Sequence, residues 1–388
     1  MNIDNPIKNC RVCGGQLYFE PLLCLHNMPK AAQFFPDGSM LANEAGSNLE
    51  ICQCSACNLI QLNSQPVHYY REVVRASAYS KEMEAFRLQQ FADFVIKQNM
   101  TNKKGIEIGC GRGEYLKLLK QVGINAYGLE FAQDSVSQCK KDGYKVFQGF
   151  VNDVGYQLPE APYDAFFILN WLEHLPQPHL TLRGIAENLS KNAVGLVEVP
   201  NFDMILAKNL FSEFINDHLF YFSKETFTQL LSISGFEVVE CNSIWHDYII
   251  SATVKKRVAT DFKVLTDFQD KINQEIQQFF KKYAGKRVGV WGAGHQALAV
   301  ISLLKIRDKI CYVVDSATFK QGKFTPASHL PIVSPEHLIK EPVDAILVMA
   351  ASYSDEVART IRDRFDEAID VTILRDYGLE TVIAKQCQ

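Results

Sequence analysis

The chain of 388 residues has no apolar run long enough to cross a bilayer, which excludes a protein built on membrane-spanning helices. It has no excess of positive charge either. Its 40 lysines and arginines face 44 carboxylates, for a formal net charge of −4, so the electrostatic footprint of a nucleic-acid binder is missing. Low-complexity tracts and short-period repeats are absent. The opening segment MNIDNPIKNC lacks the apolar core of a secretory leader, and 11 cysteines are an odd number for a disulfide framework. These absences leave a globular protein, expected in the reducing cytoplasm. With 47% hydrophobic and 22% charged residues the composition is ordinary for that class, and the length predicts two to three domains.

What stands out instead is two tight cysteine pairs, Cys10-x-x-Cys13 and Cys54-x-x-Cys57. Thiolates on one tight turn can both reach one metal ion, and two such turns complete the tetrahedron that structural zinc prefers. All four positions are then filled by sulfur, so the expected role is structural, with no open position for water or substrate. Buried free thiols are the alternative. Cys52 could compete as a ligand, although it reads better as core packing, as does Cys24; His26 is a possible substitute that reads better as a loop histidine. The first 64 residues carry only Lys8, Arg11 and Lys30 against five carboxylates, the opposite of what a phosphate-gripping zinc ribbon needs.

Apolar residues recur at helical spacing over residues 81–98. From Gly105 strands and helices alternate, which predicts an α/β domain with a parallel sheet and helices on both faces. Residues 260–285 read as one long helix stopped by Gly285, and a second αβ unit follows. The expected organisation is a zinc module over 1–64, a central domain over 65–259, and a linker helix plus a Rossmann-like domain over 260–388.

The central domain opens on Glu107-Ile108-Gly109-Cys110-Gly111-Arg112-Gly113, between a predicted strand and a predicted helix. Glycines there let the backbone approach a ligand. An acid before the loop would repel a phosphate and suits an ammonium group. Glu130 ends the next strand, placed for ribose hydroxyls. The two acids together describe a cationic amino-acid nucleoside. The pattern resembles the class I S-adenosylmethionine-dependent methyltransferases over about residues 100–255, with Asn170 and Trp171 at the end of the fourth strand beside the methionine moiety. The resemblance implies that Glu107, Gly109, Gly111, Gly113, Glu130, Asn170 and Trp171 hold S-adenosylmethionine.

Nearly end to end, the chain resembles a narrower group, the sugar C-methyltransferases. The residues that carry this are CRVCGG (10–15), CSACNLIQL (54–62), GAG (292–294), VVDS (313–316) and KQGKFTPASHLPI (320–332). The group implies a nucleotide-linked keto-deoxysugar substrate, methylated on a carbon beside the ketone. Such a carbon needs a base to take its proton and a donor for the enolate oxygen. The group's Tyr-x-Glu-His-x-x-Tyr-Phe-Ser reads here as Ile215-Asn216-Asp217-His218-Leu219-Phe220-Tyr221-Phe222-Ser223. His218 is therefore the expected base, with Asp217 beside it and Tyr221 toward the substrate, while Ile215 removes the group's phenol. His174 in WLEHLP is a second candidate for the base, and Tyr79 matches a position near the mouth of the site.

A second loop, Gly292-Ala293-Gly294-His295-Gln296-Ala297, with Asp315 ending the next strand, fits a dinucleotide fingerprint on spacing. An NAD-dependent oxidoreductase is thus a rival reading. The family resemblance implies instead that Gly292, Gly294, His295, Asp315 and Lys323 cradle a nucleotide-sugar. An O- or N-methyltransferase on a related small molecule is the nearest rival, and a zinc-ribbon nucleic-acid binder with an appended methyltransferase the most distant. The expected partners are a small molecule, with no nucleic acid and no membrane, in a monomer or homodimer.

Overall fold

Strand and helix signals along the chain sort into two units, Met1–Val258 and Ala259–Gln388. The structure, a computed structural model, describes residues 6–33, 35–72, 80–365 and 368–382. In the first unit, β1 (Leu23–Met28), β2 (Ser47–Gln53) and β3 (Ile60–Leu62) form an antiparallel meander. Helix α1 (Lys81–Gln98) is capped by Ser80, whose side chain accepts from Met83 N–H, and ends at Asn99 in the left-handed conformation. It buries Arg87, Phe91, Phe94 and Val95, one face at helical spacing.

Then β4 (Lys104–Ile108), α2 (Glu114–Gln121), β5 (Asn125–Glu130), α3 (Gln133–Lys141), β6 (Lys145–Gln148) and β7 (Tyr163–Leu169) alternate. They are followed by α4 (Pro178–Glu187), β8 (Leu189–Pro200), α5 (Phe202–Ala207), β9 (Phe220–Tyr221), α6 (Lys224–Ile233), β10 (Phe236–Ile244) and β11 (Ile249–Lys256). The main sheet has the order β10-β11-β8-β7-β4-β5-β6. Strands β4 to β8 within it are parallel, and β11 inserts antiparallel against β8. The inner strands are buried almost throughout because both faces are covered. The chain leaves β4 toward β5 and β6, then returns on the other side as β7. That reversal opens a crevice at the carboxyl ends of β4 and β7, where ligands bind in such sheets. This is the class I methyltransferase arrangement.

Strand β9 leaves this sheet and pairs with β3, Ile60 opposite Tyr221 and Gln61 opposite Phe220, giving a second sheet β1-β2-β3-β9. Cys10, Val12, Cys54 and Leu59 pack in the same buried cluster as Ile106, Ile108 and Trp171. The cysteine-bearing segment therefore shares its core with the central domain, a solution to the small apolar area that so short a segment can bury alone.

The second unit begins with α7 (Lys263–Lys282), which buries Ile272, Ile276, Phe279 and Phe280. Its strands and helices are β12 (Val288–Trp291), α8 (His295–Leu303), β13 (Val313–Val314), β14 (Ile332–Val333), α9 (His337–Lys340), β15 (Ala345–Val348), α10 (Ser354–Arg364), β16 (Asp370–Leu374) and β17 (Leu379–Val382). The sheet order is β14-β13-β12-β15-β16-β17, parallel except for β17. Helix α7 stops three residues before Gly285, which takes a positive φ of 77° in the turn that follows.

Candidate active site

The loop between β4 and α2 carries Gly109, Gly111 and Gly113, all at positive φ. At Gly109, φ 72°, a Cβ would stand 3.2 Å from the indole of Trp171, so only glycine allows the backbone and that ring to enclose the crevice together. Glu130, buried at the end of β5, accepts from Gly111 N–H at 2.9 Å and Ala132 N–H at 2.8 Å. Burial raises its pKa, against these backbone donors. Glu107 is buried beneath the loop. Asn170 ends β7 in the left-handed conformation, φ 54°, and its Oδ1 is buried without a hydrogen-bond partner. A buried amide oxygen of that kind needs a donor, and an ammonium group supplies one. The pocket between these residues is walled by Phe131, Phe150 and Trp171 and roofed by Arg71. Of the seven residues expected to hold S-adenosylmethionine, Gly109, Glu130 and Trp171 line this pocket and Gly111 is tied to Glu130; their acid and the unpaired Asn170 Oδ1 fit that molecule.

On the other side of Trp171 the chain turns through Leu172-Glu173-His174 and brings a second group together. Leu219 N–H donates to Glu173 O at 2.8 Å, which docks the 214–219 loop against this turn. The rings of His174 and His218 meet edge to face at 4.8 Å. His174 Nδ1 lies 2.8 Å from Asp217 O. A carbonyl only accepts, so Nδ1 carries the proton and Nε2 of neutral His174 carries the lone pair. Burial lowers the pKa of both histidines; that of His218, with His174 as a further cause, falls to about 3. Both are therefore neutral acceptors at physiological pH. His218 is partly exposed and lines a small pocket with Asn201, Glu213 and Tyr248.

The carboxylate of Asp217 is engaged elsewhere. Its oxygens accept from Tyr69 O–H at 2.6 Å and Ala32 N–H at 2.8 Å, and it is the main-chain oxygen that reaches His174. Burial first, and then this hydrogen bond, raise the Tyr69 pKa to about 12. Tyr221 is buried, and its hydroxyl accepts from Ile215 N–H at 2.9 Å and reaches Ile215 O at 3.2 Å. Its polar end is spent on holding the turn that leads to His218. Tyr79 lies outside the described residues.

The four cysteine sulfurs lie within 4.8 Å of one another. Cys10 and Cys57 sulfurs are 3.7 Å apart and those of Cys13 and Cys54 3.5 Å apart. Backbone N–H groups of Val12, Gly15 and Ala56 point at Cys10, Cys13 and Cys54 sulfur at 3.4, 3.3 and 3.4 Å. A Cβ on Gly15 would press against Ala56 at 2.7 Å and both Cys13 and Cys54 sulfur at 3.3 Å. Tetrahedral zinc with Zn–S of about 2.3 Å sets its sulfurs roughly 3.8 Å apart, so this cluster fits that ion. Cys52, buried on β2, is outside the cluster.

In the second unit, Gly292 takes φ 114°, and a Cβ there would meet Met349 O at 2.5 Å, so both the angle and the space call for glycine. Asp315 accepts from Ala293 N–H at 2.8 Å, Ala317 N–H at 2.9 Å and Lys320 Nζ at 2.9 Å, and these donors outweigh burial to lower its pKa. Gly294 caps α8 and His295 begins it, both beside this loop, whereas Lys323 lies on a shallow groove with Phe324 and His337. Sequence reasoning missed Tyr69, Arg71, Glu173 as an acid of the histidine pair, and Lys320. Glu173 alone had a signal, its place in the WLEHLP segment.

A methyltransferase domain model matches residues 79–241, and a C-methyltransferase C-terminal domain model matches residues 251–370. The chain is an S-adenosylmethionine-dependent methyltransferase. The second match places it with the C-methyltransferases. It is 23% identical over 393 residues to C-methyltransferase NovU of Streptomyces niveus, covering 92% of each chain. Among solved structures it is similar to the putative methyltransferase of Haloferax volcanii in complex with its Trm112 activator, at 16% identity and TM-score 0.39, over 46% of this chain and 92% of that one. It is also similar to magnesium protoporphyrin IX methyltransferase of Synechocystis PCC 6803, at 14% identity and TM-score 0.37, over 48% and 92%. For this methyltransferase no helix among the described residues is long and apolar enough to cross a membrane.

Proposed function

We propose that the enzyme methylates a carbon beside the ketone of a nucleotide-linked deoxysugar, and that His218 takes the proton from that carbon. The supporting observation is the neutral His218 at the edge of a pocket, backed by His174 in a fixed tautomer. S-adenosylmethionine supplies the electrophilic methyl group. Glu107, Gly109, Gly111, Glu130 and Asn170 would fix that donor in the crevice, with Trp171 between it and the histidines. Asp217 orders the loop through Tyr69 and Ala32 and presents its carbonyl to His174. Tyr221 ties down Ile215 and with it the approach of His218. A neutral imidazole is the right form to accept a proton. The four cysteines would hold structural zinc. The C-terminal unit would carry the nucleotide-sugar, a reading supported by the match of residues 251–370 to a C-methyltransferase C-terminal domain.

Two measurements test this. Incubation of a nucleotide-linked 4-keto-deoxysugar in heavy water with the enzyme and no methyl donor should exchange one substrate C–H for deuterium; O- or N-methylation gives no exchange. The variant H218A should bind S-adenosylhomocysteine within about twofold of wild type yet lose turnover by at least about a hundredfold. Turnover that survives in H218A removes His218 as the base.

A further inference from the structure

The reaction proposed above leaves one buried acid without a task. Glu173 is 1% exposed, its Oε2 has no hydrogen-bond partner, and its Oε1 lies 3.8 Å from His174 Nε2. That nitrogen holds the lone pair, because Nδ1 is committed as a donor to Asp217 O. His174 in turn meets His218 ring to ring. Ligand atoms of Glu173, His174 and His218 all fall within 4.8 Å. We propose that Glu173 is a positioning residue for proton abstraction, facing His174 Nε2 and supplying, when ionised, the negative charge that lets His218 become an imidazolium. This rests on the carbanion reading above.

The charge count favours a proton over a metal ion in this space. With Glu173 ionised the cluster holds one negative charge, and one proton neutralises it. A divalent cation would leave one net positive charge in an apolar enclosure, where an uncompensated charge is costly. The ionisable groups gathered at Glu173 are His174 on its own turn and His218 on the 214–219 loop, with Asp217 reaching His174 through its main-chain oxygen. The Asp217 carboxylate is tied to Tyr69 and Ala32. Burial alone sets the titration of Glu173, against its own backbone N–H, and pushes its pKa up to about 8. Below that pH the carboxyl is protonated and the cluster neutral, so a further proton on His218 would be a buried unpaired cation. Above it the acceptance of a proton returns the cluster to neutrality.

The proton balance follows. The substrate C–H bond breaks, its electron pair becomes the carbon nucleophile and its proton adds to His218. The carbon takes the methyl group, the C–S electron pair stays on sulfur, and one proton leaves to solvent per turnover. Activity should therefore fall as pH drops through the titration of Glu173.

The test is the pH profile of kcat/KM for the sugar, which reports the free enzyme, read between about pH 6 and pH 10. Wild type should show a one-proton limb near pH 8, the value to which burial raises Glu173. In E173Q the limb should vanish and kcat/KM at the plateau should drop about a hundredfold, with S-adenosylhomocysteine affinity kept; E173D should restore part of both. An E173Q enzyme that keeps the limb overturns the proposal, as does a second bound metal per chain that E173Q releases. If E173Q fails to fold, infrared spectroscopy of wild type decides. A protonated-carboxyl band present at about pH 6 and gone at about pH 10 supports the proposal, and its absence at the lower pH overturns it. Wild type that binds S-adenosylhomocysteine but never exchanges substrate deuterium removes the carbanion reading itself, a different failure.

Discussion

Arg71 holds its charge among aromatic rings. Its guanidinium carbon lies 5.3, 5.8 and 5.1 Å from the centroids of Tyr70, Phe131 and Phe150. Phe131 and Phe150 border the pocket that Glu130, Gly109 and Trp171 enclose. A flat guanidinium stacks on planar bases as well as on aromatic side chains, which an ammonium does poorly. The variant R71A is expected to weaken S-adenosylhomocysteine binding about 3- to 30-fold, the range that a cation–π contact of about 0.7–2 kcal/mol gives. R71K should recover little of it, and isothermal calorimetry reads both. Unchanged affinity in R71A would leave Arg71 as a surface residue that happens to lie on the rim. At Gly109 the expectation is steric. G109A places a Cβ 3.2 Å from Trp171 on a backbone at φ 72°, so binding should be lost at a stability cost of about 1–3 kcal/mol, measured by urea unfolding with the ligand absent.

At the scale of elements, α1 is anchored to β8 by a pair with no access to water. Arg87 Nη1 meets Glu198 Oε2 at 2.5 Å, both side chains 0% exposed, and Gln90 donates to Glu198 Oε1 at 2.6 Å. Breaking one side of such a pair leaves a buried charge, and R87M should cost about 3–5 kcal/mol. The double variant R87M/E198L removes both charges and should regain much of that loss; a double variant as unstable as R87M would mean that packing, not charge, holds the helix. Helix α1 was legible because its apolar residues recur at 3.6-residue spacing, and the bounds expected for it, 81–98, match those observed. Strands β4, β5 and β7 were legible as short segments alternating with helices, with Gly109, Glu130 and Asn170 at or just beyond their ends. Those residues sit on local signals. Strand β9 is two residues long and pairs with a strand far upstream, so no local pattern announces it. Tyr69 reaches Asp217 across 148 positions and Ala32 reaches it across 185, contacts made by tertiary packing that no spacing rule anticipates. His218 and Asp217 were visible in one short segment, and the division of labour between them became visible only when each side chain had partners.

At the scale of the molecule, the cysteine cluster and the histidine pair belong to one continuous arrangement. Zinc at Cys10, Cys13, Cys54 and Cys57 would fix the turns before β1 and between β2 and β3. Strand β3 pairs with β9, and Leu62 N–H donates to Leu219 O at 3.0 Å. Leu219 is also the residue that docks on Glu173, next to His218. A disturbance at the metal therefore has a short path of backbone hydrogen bonds to the proposed base. The full-length enzyme should contain one zinc per chain by elemental analysis, and C54S should lower that content. Structural zinc contributes about 10–16 kcal/mol of apparent binding free energy in small modules, so its loss should free β1 to β3 to exchange amide hydrogens. The 214–221 segment should lose protection with them, and turnover should fall more than S-adenosylhomocysteine affinity, because the cysteine turns share a core with Ile106, Ile108 and Trp171 whereas the ladder of β4, β5 and β7 pairs without them. Strands β12 and β15 of the second unit serve as the internal reference and should keep their protection. Retained protection over 214–221 with full turnover, after zinc has left, would separate the metal from the chemistry and make the cysteines a staple for the meander alone.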